Sequence, residues 1–189
     1  MPISLVGMPG SGKSTVGKQL ARQLGWSFVD SDHEIERQIG MPIKSYFDRH
    51  GEAAFRDLEQ SVIAELAGRA DCVLATGGGA VIRQDNRRAL AAGGPVIYLR
   101  SVPEELFRRL RHDTQRPLLQ VADPLRKLRD LFRERDPLYR ETAQFVIETG
   151  RPTVPTLVNM ILMQLELAGL VDPARLPSPT PKAPPASRA

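Results

Sequence analysis

Gly7-Met8-Pro9-Gly10-Ser11-Gly12-Lys13-Ser14 constrains this chain more than any other stretch of it. The octapeptide fits G-x-x-x-x-G-K-[ST] in full. It follows the apolar run Ile3-Ser4-Leu5-Val6, and it opens a segment in which Val16, Leu20 and Leu24 recur four apart. Strand, glycine turn and helix in that order make a phosphate cradle. The glycines let the backbone curl until successive N–H groups point inward at phosphate oxygens, and the helix N-terminus adds its positive dipole end. The expected contacts of a nucleoside triphosphate are therefore Gly10, Ser11, Gly12, Lys13, Ser14 and Thr15. Lys13 is expected at the β- and γ-phosphates and the Ser14 hydroxyl at Mg²⁺. The motif is silent on what receives the phosphate.

Beyond the cradle the chain alternates between short apolar runs and longer segments of helical period. Strands are expected at Ser27–Asp30, Cys72–Ala75, Val96–Leu99 and Phe145–Ile147. Helices are expected over Asp32–Ile39, Ile43–Gly68 with an interruption at His50-Gly51, Arg83–Ala92, Pro103–Leu110 and Pro124–Glu141, the last kinked or broken by Pro137. Val154, Leu157, Val158, Ile161, Leu162 and Leu165 form a core-facing stripe on a closing helix that reaches Leu167. Such alternation predicts a parallel sheet with helices on both faces, in one domain over residues 1–171. Six of the 16 prolines fall in the last 17 residues, so 172–189 reads as a tail unable to order itself.

Bulk properties narrow the function. One cysteine, Cys72, rules out an intrachain disulfide and sits in an apolar run as a small buried hydrophobe. No apolar run approaches the roughly 20 residues of a membrane span, and the N-terminus lacks a signal-peptide pattern, which predicts a cytoplasmic protein. The net charge of +4 is carried by scattered residues, with 5% aromatics and no nucleic-acid motif. Neither membrane nor nucleic acid is an expected partner, and a monomer is expected.

The carboxylates fall at the end of the second strand, as Asp30-Ser31-Asp32, beside the cradle in a parallel sheet. Asp30 is expected in the Mg²⁺ shell through water. Asp32 is expected at the acceptor hydroxyl as orienter or base, or alternatively as the N-cap of the next helix. Gly77-Gly78-Gly79 follows the third strand, and three glycines in a row imply a close approach, by substrate on exposed N–H groups or within a tight turn. Glu59 lies one helical turn from Arg56, near enough to orient it. An arginine-rich pocket suits an anionic acceptor.

Taken together, the phosphate loop, Asp30-Ser31-Asp32, Phe55-Arg56-Asp57-Leu58-Glu59, Gly77-Gly78-Gly79, Arg116-Pro117-Leu118-Leu119 and Arg135-Asp136-Pro137-Leu138-Tyr139 resemble the shikimate kinases in order and spacing, over about residues 1–168. The resemblance implies a three-layer α/β/α P-loop fold of the nucleoside monophosphate kinase type, with a five-stranded parallel sheet, a substrate-binding segment at about 32–60 and a lid at about 112–123. It implies shikimate and ATP as substrates and Mg²⁺ as cofactor. By the same resemblance Asp32 binds the shikimate hydroxyls, Arg56 and Arg135 hold its carboxylate, and Gly77, Gly78 and Gly79 line the ring. Phe47 and Phe55 wall the pocket, Arg116 closes over the phosphates with Lys13 and Asp32 as its catalytic companions, and Arg109 and Arg151 lie at the adenine. The nearest alternative is another small-molecule kinase of this fold, such as a gluconate kinase. The full arginine and triple-glycine set argues against it.

Overall fold

A computed structural model describes residues 1–111 and 120–177. Five strands form one parallel sheet: β1 (Ile3–Val6), β2 (Ser27–Asp30), β3 (Cys72–Ala75), β4 (Val96–Arg100) and β5 (Phe145–Glu148), in the spatial order β2-β3-β1-β4-β5. β1 therefore lies at the centre, with Leu5 in register with Ala75 on one side and Ile97 on the other. The two edge strands are partly exposed, whereas β1 and β3 are buried at every residue. That contrast explains the continuous apolar runs of the inner strands, which are covered on both faces.

Seven α-helices flank the sheet among the described residues: α1 (Lys13–Leu24), α2 (Ser31–Ile39), α3 (Ile43–Leu66), α4 (Gln84–Gly93), α5 (Pro103–Leu110), α6 (Pro124–Thr142) and α7 (Val154–Leu167). Successive strand side chains point to opposite faces and so divide the core into two layers. Val6, Leu74 and Tyr98 pack with Val62, Ile63 and Leu66 of α3, Leu90 of α4 and Leu128 of α6. Leu5, Val73, Ile97 and Leu99 pack on the other face with Val16 and Leu20 of α1 and the α7 stripe from Leu157 to Leu165. Cys72 is buried, and burial pushes its thiol up, away from nucleophilic use.

Three local features differ from the sequence expectation or sharpen it. α3 is broken at Gly51, whose φ of 83° and ψ of 173° lie outside the helical region, at the interruption foreseen there. α6, by contrast, runs through Pro137 to Thr142 instead of ending near it. Asp136, the residue before that proline, accepts from Tyr98 Oη at 2.7 Å and Arg100 Nε at 3.1 Å, and this anchorage to β4 holds the helix where the missing N–H would loosen it. Finally, the chain stays folded past residue 171. Asp172 caps a 3₁₀ turn at Pro173–Arg175, and Leu176 packs against the α1–α7 layer, so the expected unstructured tail begins with an ordered segment. No described helix is long and apolar enough to cross a membrane.

Candidate active site

The C-terminal ends of β1, β2 and β3 open onto a cleft of about 530 Å³ lined by the glycine loop, Asp30, Asp32, Thr76, Gly77 and Gly78. Parallel pairing puts these ends side by side, as a ligand crevice of an open α/β sheet requires. In the loop, Gly10 and Gly12 take φ of 82° and 92°, which side chains rarely adopt. Gly12 then serves as N-cap of α1 without any side-chain cap, leaving the helix N-terminus to an anion. The Lys13 amine is buried within the loop, donating to the carbonyls of Gly7 at 2.8 Å and Met8 at 2.9 Å. Leu110, at the end of α5, presses on Gly10, where a Cβ would sit 2.7 Å from its Cδ1.

Ser14 and Asp30 meet across the cleft floor, the hydroxyl donating to Oδ2 at 2.7 Å. The other Asp30 oxygen accepts from the backbone N–H of Asp32 at 2.9 Å and of His33 at 3.3 Å. Asp30 is thus the N-cap of α2, and the alternative that gave Asp32 this role is corrected. The helix begins at Ser31, one residue earlier than expected, which moves the capping position back to 30 and leaves the Asp32 side chain to the cleft. Burial pushes the Asp32 carboxyl up to about 6, reinforced by the carboxylates of Asp30 and Glu59 and opposed by Lys13.

The arginine side is built on α3 and α6. Arg56 Nη1 donates to Glu59 Oε1 at 3.0 Å, the pairing foreseen from their spacing, and Nη2 lies 3.5 Å from Glu52. Its guanidinium sits 5.2 Å from the Phe55 ring centroid, and Phe55 meets Phe47 at 5.6 Å. Glu59 is buried, which pushes its carboxyl up, while Arg56 and Arg135 pull it back down. Arg109 donates to the Thr149 carbonyl at 3.0 Å and lines a separate depression with Glu105, Arg108 and Gly150, one residue from the exposed Arg151. Arg116 and most of the expected lid lie outside the described residues.

The three glycines have a reason the sequence did not reveal. A Cβ on Gly77 would stand 2.6 Å from Asp32 Oδ1, one on Gly78 2.6 Å from Pro9 Cδ, and one on Gly79 2.5 Å from Arg56 Nη1. Each missing side chain admits a different protein group, so carboxylate, phosphate loop and arginine all close on one short turn. The Gly77 N–H donates to Ser31 Oγ at 3.1 Å, which ties the turn to the start of α2. Leu110 was also missed, since its distance in sequence from Gly10 leaves no local signal.

A family model described as shikimate kinase matches residues 9–166. A shikimate kinase of Paracidovorax citrulli is 60% identical over 177 residues, covering 92% of this chain and 97% of that one. Among solved structures, shikimate kinase from Acinetobacter baumannii in complex with shikimate superposes with a TM-score of 0.84 at 48% identity, covering 90% of this chain and 95% of that one. A gluconokinase from Sinorhizobium meliloti reaches a TM-score of 0.53 at 17% identity, over 88% of this chain and 96% of that one, a likeness of fold alone. Identity of this depth along nearly the full length of both relatives settles descent, and the chain belongs to the shikimate kinase family.

Proposed function

We propose that the cleft transfers the γ-phosphoryl group of ATP to the 3-hydroxyl of shikimate, giving shikimate 3-phosphate and ADP on the route to chorismate and aromatic amino acids. One observation carries the reading: Asp32, Arg56 and the phosphate loop converge on Gly77-Gly78-Gly79. An acid for a hydroxyl, a guanidinium for a carboxylate and a cradle for phosphates are what a polyhydroxylated acid and a nucleotide need of a single pocket.

The backbone from Gly10 to Thr15 binds the phosphates, with Lys13 as the cation for the β- and γ-groups. Arg116 is assigned to the same phosphates from the lid, and Arg109 and Arg151 to the adenine. Arg56 and Arg135 hold the shikimate carboxylate, Phe47 and Phe55 wall the ring, and the glycine turn faces it. Asp32 orients the 3-hydroxyl and takes its proton as the alcohol oxygen attacks. A carboxyl raised to about 6 is ionised at neutral pH and basic enough to hold that proton. Positioning and charge neutralisation supply most of the rest, because phosphoryl transfer asks little covalent help of the protein.

The residues present fit Mg²⁺. Ser14 and Asp30 offer a hydroxyl and a carboxylate in direct contact, and no described group of three or more His, Cys, Asp or Glu could hold a metal on its own. That is the pattern of an ion bound by one or two protein oxygens, water and substrate phosphate. Ser14 would hold it directly and Asp30 through water, and when bound it neutralises charge on the transferring phosphates. The reading also takes the enzyme as a cytoplasmic monomer.

Coupled release of ADP tests the assignment. Turnover is expected with shikimate and ATP and not with gluconate and ATP. Turnover of gluconate alone would overturn it.

A further inference from the structure

Tyr139 is fully buried, and a buried hydroxyl is unfavourable unless partnered. It lies on α6 four residues after Arg135, on the same helix face. Its hydroxyl donates to the carbonyl of Gly78 at 2.6 Å. The ring has little freedom. It stacks on Tyr98 at 4.9 Å between centroids, and Tyr98 in turn donates to Asp136, which also accepts from Arg100 and Arg140. This end of α6 is thereby fastened to β4 through the residue next to Arg135.

The Gly78 carbonyl belongs to the same peptide as the Gly79 N–H. That peptide is trans, so fixing the carbonyl toward α6 turns the N–H away from it. Gly79 lies directly under the Arg56 guanidinium. The orientation of one peptide therefore sets the surface on which Arg56 rests.

We infer that Tyr139 is a positioning residue for the acid substrate: its hydroxyl fixes the Gly78–Gly79 peptide, and through that peptide the Arg56 that rests on it. The inference rests on the site roles proposed above and goes beyond them, because Tyr139 itself touches no reacting atom. Packing alone would be satisfied by phenylalanine, so only the hydroxyl separates the two roles.

Tyr139→Phe is the test, with steady-state kinetics on the full chain for both substrates. The shikimate KM is expected to rise roughly fivefold, as for loss of a hydrogen bond that leaves a buried carbonyl unpaired, with the ATP KM within about twofold of the parent. In an Arg56→Ala background the same change should add less than about twofold, since the group being positioned is gone. An unchanged shikimate KM, or parallel rises in both KM values, would overturn the inference. If Tyr139→Phe does not fold, 4-aminophenylalanine at 139 keeps the ring and a donor while weakening the bond to the Gly78 carbonyl. A raised shikimate KM with unchanged ATP KM then supports the role, and no change in either overturns it. Arg56→Ala alone separates the two levels: if it leaves the shikimate KM unaltered, the proposed site roles fail, whatever Tyr139 does.

Discussion

Above pH 6 Asp32 carries its charge beside Asp30 and Glu59, in a site that burial makes inhospitable to it. Its folded value of about 6 exceeds the 3.8 of an ordinary aspartate, so the folded chain holds an extra proton between those limits. The stability that the neutral form contributes is full below about 3.8 and is lost as pH rises through about 6. Asp32→Asn should then abolish turnover yet raise the melting temperature at pH 7.5, the relieved penalty being on the order of 2–3 kcal/mol. Calorimetry at several pH values checks this, with the gain disappearing near pH 4. A lower melting temperature at pH 7.5 would count against the buried charge. For the parent enzyme, kcat/KM for shikimate should fall on the acid side with a midpoint near 6, because that quantity reports the free enzyme's base.

The glycine turn separates two ligands by neighbouring positions. Gly79→Ala forces aside the far end of Arg56, a flexible group, whereas Gly78→Ala meets Pro9 within the phosphate loop itself. The first should raise the shikimate KM about tenfold or more with the ATP KM little changed. The second should raise the ATP KM, and titration of each variant with each ligand distinguishes them. How far such elements can be read in advance depends on the range of the forces that shape them. The phosphate loop, the inner strands, the α7 stripe and the break at Gly51 are written locally, in turn residues and apolar period, and were legible. So was the Arg56–Glu59 pair, fixed by helical spacing. The clearances at Gly77, Gly78 and Gly79 were not, because their partners lie in distant segments of the chain. The capping role passed from Asp32 to Asp30 because adjacent residues of one type compete and a one-residue shift in helix start decides between them. α6 overrode the local preference of Pro137 through tertiary anchorage at Asp136, which no window of sequence displays.

The two core layers reach unequal distances along the chain. The α1–α7 layer extends to Leu176, near Trp26, the sole tryptophan, and Pro177 approaches Gly25. The active cleft draws none of its lining from this region. A chain ending at Pro177 should match the parent in melting temperature and turnover. One ending at Asp172 should keep turnover, lose about 1–2 kcal/mol from exposed apolar area, and shift Trp26 emission to the red, which fluorescence during urea unfolding would detect. Loss of turnover in that shorter chain would tie the C-terminal segment to the site. The central place of β1 has a further outcome during synthesis. The strand that leaves the ribosome first is the one flanked on both sides in the finished sheet, and its neighbours β3 and β4 follow only after some 70 and 95 residues. Each edge stays open until its partner arrives, so nascent chains halted before Val96 are the species on which chaperones should be found.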